Sequence, residues 1–106
     1  MEIKIEINYI KASGVIIRLK KPIRFRVVPD PIFKGNLYVQ DNFFYIHESA
    51  PTFARLADQV RDALSIQYEG IVLENDGNLS DDAISMKKYY KQLIDERFKY
   101  NKEGVK

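Results

Sequence analysis

Histidines and spaced carboxylates are the groups from which this chain could build a reactive site, and both are thinly placed. His47 is the only histidine, it stands beside Glu48, and the chain has no Cys. A general base or metal ligand at His47 would need further donors, and a single histidine without them is more often packed or solvated. Asp76, Asp81 and Asp82 could offer oxygens to a hard cation, but they lack the alternating ligands and the distal Glu of a calcium loop. Asp81 and Asp82, directly after Ser80, read instead as the first turn of a capped helix, where the dipole favours negative charge. The five glycines are scattered singly, so none forms a phosphate-cradling loop. No serine sits in a nucleophile elbow and no carboxylate pair suggests glycoside chemistry. The expectation is a protein that is not an enzyme, with no metal and no cofactor.

Charge is the chemistry that the chain does display. The net charge is only +2, but residues 1 to 35 carry +5, residues 48 to 82 carry −6 and residues 83 to 106 carry +4. Such blocks either steer charged partners to different faces or pair with one another across the fold. Within the first block, Arg18, Lys20, Arg24 and Arg26 fall on one side of an alternating pattern whose other side is Val15, Ile17, Leu19, Ile23, Phe25 and Val27. A basic row of that kind could follow nucleic-acid phosphates. The plainer account is that exposed Lys and Arg keep a sheet from pairing with other chains. Aromatics for base stacking are missing from that row, although Tyr38, Phe44 and Tyr45 follow nearby.

These residues need elements to hold them. Ile3, Ile5 and Ile7 alternate with Lys4, Glu6 and Asn8, and Tyr9 continues the apolar set, which predicts a strand with one buried face. Lys11 to Gly14 is a turn, and residues 15 to 20 pair back as a hairpin. Lys21 and Pro22 interrupt that strand, and residues 23 to 27 are either a new strand or the same one resumed after a bulge. Pro29, Asp30 and Pro31 mark a loop, then Leu37 to Val39 and Phe43 to His47 form a second hairpin turning tightly at Asp41 and Asn42.

Residues 49 to 75 place Phe53, Leu56, Ala57, Val60, Ala63, Leu64 and Ile71 on one helical stripe, with either Ser49 or Thr52 as its cap. After the turn from Asn75 to Asn78, the positions Ala83, Met86, Tyr90, Leu93, Ile94 and Arg97 keep helical spacing through a second helix. Tyr68, Tyr89 and Tyr90 lie on or near these stripes, where aromatics usually belong to a core. The fold expected is α+β, a small antiparallel sheet of four to five strands with two C-terminal helices packed on one face. At 106 residues it is one domain over 1–100, followed by a loose C-terminal tail over 101–106.

No stretch is apolar for long enough to span a membrane, and the N-terminus lacks the basic head and apolar run of a signal peptide. A cytoplasmic location is the expectation.

The run from Phe44 to Leu93 resembles the small prokaryotic antitoxin-like proteins related to the HicB family. The likeness rests on Thr52, Leu56 and Val60, on Tyr68 to Val72, on the turn from Glu74 to Ser80, and on Asp82, Ala83, Met86 and Lys87. Phe43 to Ser49 stands where that family often has a glycine-rich strand, and no helix-turn-helix follows, so operator binding is not implied. The resemblance implies a protein that binds and masks a small basic RNA-cleaving toxin. Asp58, Asp62, Glu69, Glu74 and Asp76 would then be the partner-binding residues, by charge complementarity. Nucleic-acid binding through Arg18, Lys20, Arg24 and Arg26 is the alternative, and a homodimer a third reading.

Overall fold

A computed structural model describes residues 2–101, with side chains as far as Ile94. Strand β1 (Ile3–Ala12) and strand β2 (Val15–Pro29) form the opening hairpin, with Ala12 opposite Val15. Ser13 and Gly14 between them both take positive φ, 53° and 75°, the pair of left-handed residues that a type I′ turn requires. The interruption at Lys21 and Pro22 is an irregularity within one strand, since β2 runs unbroken through it. The shift falls between Ile7 and Tyr9, and it turns β1 over: Ile5 and Ile7 are buried before it, Ile10 and Ala12 after it. That is why Tyr9 does not continue the buried set as its spacing predicted, and Ile3, at the open end of the strand, is 51 % exposed.

β2 is the spine of a five-stranded antiparallel sheet, paired with β1 along its length on one side. Strands β3 (Leu37–Asp41) and β4 (Ile46–Ala50) form the second hairpin, joined to the end of β2 by Val28 opposite Tyr38. Its connection is four residues long, not a tight turn at Asp41 and Asn42. Asp41 Oδ1 accepts a bond from the Phe44 N–H at 2.9 Å, and the left-handed residue is Tyr45, with φ 55°.

Helix α1 (Phe53–Ile71) is capped by Thr52, whose Oγ1 accepts from the Arg55 N–H at 3.2 Å, while Ser49 lies in β4. Leu56, Val60, Leu64, Ser65 and Tyr68 are buried, whereas Phe53, expected on the stripe, is exposed. Helix α2 (Asp81–Leu93) begins at Ser80, whose hydroxyl accepts from the Ala83 N–H, with Asp81 and Asp82 in its first turn. It is shorter than its spacing predicted. From Ile94 the chain enters strand β5 (Ile94–Asn101), which pairs with the first half of β2, so Arg97 lies in a strand. The edge of β2 that β3 leaves open draws this segment into the sheet, because backbone groups there would otherwise lack partners. Of the tail expected over 101–106, Asn101 pairs with Val15, and the remainder lies outside the described residues.

Both helices cover the face that carries Ile5, Ile7, Ile17, Leu19, Ile23, Phe25 and Val27, and the core is continuous from this face into Leu56, Val60, Leu64, Met86 and Tyr90. Phe25, Phe44, Tyr68 and Tyr90 meet edge-to-face with centroids 5.7–5.9 Å apart, so the second hairpin and both helices share one aromatic cluster. Among the described residues no helix is long and apolar enough to cross a membrane.

Candidate interaction surfaces

The helix registry that buries Leu56, Val60 and Leu64 turns Asp58, Asp62, Ile66 and Glu69 outward, because residues four apart share a face. Asp58 Oδ1 takes an exposed bond from Arg61 Nη1 at 3.1 Å, and the Arg61 guanidinium lies 4.4 Å over the Tyr9 ring. Asp62 and Glu69 flank a shallow hollow with Lys11, Ser65 and Ile66. Ile66 is 71 % exposed in the middle of this acidic stripe. Sequence reasoning passed over it. The signal was an apolar residue four positions after Asp62 and eight after Asp58, on the water-facing side of the helix.

Glu69 also bonds the sheet. Its carboxylate accepts from the Ser13 N–H, and one turn earlier Ser65 Oγ accepts from the Lys11 N–H at 3.0 Å. These two bonds close the hairpin end of the β1 edge, which explains a buried serine on an otherwise apolar helix face.

Glu74 and Asp76, the other two acids expected on this surface, lie away from the α1 stripe in the connection to α2 and are engaged locally. Glu74 Oε1 accepts from the Asn75 N–H at 2.9 Å and from Asn78, bonds that hold its carboxyl below the usual range. Asp76 pairs with Lys87 at 2.8 Å, which lowers its pKa in the same way. Lys87 also donates to the Glu74 carbonyl, so the three residues fasten the start of α2.

On the opposite face of the sheet, Arg18, Lys20, Arg24 and Arg26 share the exposed side of β2, as the alternation required. Glu6 stands directly across from Arg24 and bonds its Nε at 2.7 Å; Arg26 lies 3.7 Å from Glu2. Arg24 and Arg26 are therefore matched by Glu6 and Glu2. His47 projects from β4 with its Nε2 3.0 Å from the Tyr38 hydroxyl and the two rings edge-to-face. Among the described residues no three His, Asp or Glu side chains converge as a metal site needs.

No protein-family model, curated protein or solved structure matches this chain.

Proposed function

We propose that this α+β domain is a non-enzymatic interaction module of the antitoxin-like kind, holding a small basic protein against the outward stripe of α1. One observation carries the reading: an exposed apolar residue, Ile66, framed by Asp62 and Glu69 on a helix whose other face is anchored in the core. A rigid apolar centre with a charged rim is the arrangement from which protein interfaces draw affinity, and the rim selects a partner of opposite sign. Asp58 extends the stripe by one turn. The test is titration with the product of the neighbouring reading frame, expected to be small and basic. Binding should weaken at least about tenfold in Ile66→Ser and in Asp62→Lys. Absence of a small basic neighbour, or binding indifferent to both changes, would remove the proposal.

A second reading uses the shared outward face of Arg18, Lys20, Arg24 and Arg26 to follow nucleic-acid phosphates. Its signature is binding that falls steeply with salt and is lost on charge reversal along that row.

A further inference from the structure

β1 is the last strand on its side of the sheet, and no further strand lies beyond it among the described residues. Helix α1 bonds this edge at Lys11 and Ser13, towards the hairpin. The stretch from Glu2 to Ile7 lies at the other end. There the inward-facing Ile3 is half exposed, although Ile5 and Ile7, on the same side of the strand, are fully buried. On the outward side the order is Glu2, Lys4, Glu6.

We infer that this edge pairs antiparallel with the same edge of a second copy of the chain, in a register centred on Ile5. The charges together with the length of the overlap select that register. A two-fold axis through Ile5 sets Lys4 opposite Glu6 of the second copy, and the symmetry repeats the pair. It also sets Ile3 opposite Ile7, covering the apolar side chain that one chain alone leaves open. Moving the axis to Lys4 would oppose lysine to lysine and Glu2 to Glu6, and moving it to Glu6 would oppose glutamate to glutamate. A shift by one residue of one strand alone would set inward side chains against outward ones. Like charges directly opposite are unfavourable, which rules out the Lys4 and Glu6 axes; an axis through Ile3 would pair Lys4 with Glu2, but over a shorter overlap that leaves Glu6 outside the junction, so the Ile5 register is the one favoured.

The present neighbours of Lys4 support the same conclusion. Across the β1–β2 ladder it faces Arg26, a like charge, and its nearest carboxylate is Glu2 at 3.7 Å. Glu6 of a second copy would stand between Lys4 and its own Arg24, giving the row Arg26, Lys4, Glu6, Arg24 across the junction, in which that carboxylate has a cation on either side. Main-chain bonds along the shared edge supply affinity and these side chains supply the register. The inference does not rest on the α1 reading, which concerns a different surface, and its failure would leave that reading intact.

Sedimentation velocity on the full chain tests it. The protein at about 100 µM, a concentration at which a micromolar association is nearly complete, should run at twice the 12.4 kDa chain mass. Lys4→Glu and Glu6→Lys, each alone, place like charges opposite one another twice and should weaken self-association roughly tenfold or more. Mixing the two single variants restores both pairs and should regenerate the dimer, as should the double exchange within one chain. The changed side chains are exposed, so a circular dichroism spectrum like that of the parent is expected for each. A parent chain that stays monomeric overturns the inference. So does a dimer that persists in both single variants, or single variants that fail to associate when mixed.

Discussion

The Tyr90 hydroxyl donates to Gln67 Oε1 at 2.6 Å, joining α2 to α1 inside the core. Gln67 passes the connection on, its Nε2 donating to the Phe44 carbonyl at 2.7 Å in the loop of the second hairpin. Three separate elements are thereby tied through one amide, beside the aromatic cluster that contains the Phe44 and Tyr90 rings. Burial pushes the Tyr90 phenol well above its ordinary pKa, so it stays neutral and remains a donor.

Removing that hydroxyl isolates its contribution, because Tyr90→Phe keeps the ring and its edge contacts. The variant leaves Gln67 Oε1 without its donor and should lose about 1–2 kcal/mol of stability. Urea unfolding should show a lower midpoint with an unchanged slope, and an unchanged midpoint would mean that the bond contributes nothing net.

Asp30 gives the fold an acid-sensitive loop. Ser49 Oγ donates to its Oδ2, and the Phe33 and Ile32 N–H groups donate to its Oδ1, at 3.0 and 2.7 Å; these bonds lower its pKa below the usual carboxylate range. The unfolded chain, with Asp near 3.9 (about the model-peptide value), takes up the proton first as acid is added. The stabilisation is therefore complete above about pH 5 and is lost as pH falls through the unfolded value towards the lowered folded one. Asp30→Asn should be less stable than the parent at neutral pH, and the gap should narrow below about pH 4. Urea midpoints measured from pH 7 to pH 2.5, as an approximate working range, check the sign.

Two neighbours on α1 should respond in opposite ways. Leu64 is fully buried, and Leu64→Ala should cost about 2–5 kcal/mol through lost contacts and a cavity. Ile66→Ser, on the exposed stripe, should change stability by no more than about 0.5 kcal/mol. Thermal unfolding of the two variants separates the anchoring face of the helix from its free face. A large loss in Ile66→Ser would place that side chain in the core and withdraw it as a docking residue.

Much of this architecture is legible from spacing. The β1–β2 hairpin, the capped helix over Leu56 to Leu64 and the acidic first turn of α2 follow from periods of two and 3.6 and from cap chemistry. What spacing could not carry were the places where the chain changes rule. A shift beside Asn8 reverses which residues of β1 face inward, and one residue of register decides it. The end of α2 was missed because Ile94 and Arg97 keep helical spacing, and the competing signal, Phe98 and Tyr100 alternating with Lys99, is only three residues long. The acids of α1 were legible as a group. That Glu74 and Asp76 would be occupied by Asn75, Asn78 and Lys87 depends on how the connection folds back on α2, which no linear pattern records.

The bonds from Lys11 to Ser65 and from Ser13 to Glu69 limit what can grow from this sheet. A strand stapled at its hairpin end and bare at the other can receive a neighbour over only a few residues. An incoming chain meets the helix before it can slide into a longer alignment, which is the step that seeds endless fibres from flat, uncovered margins.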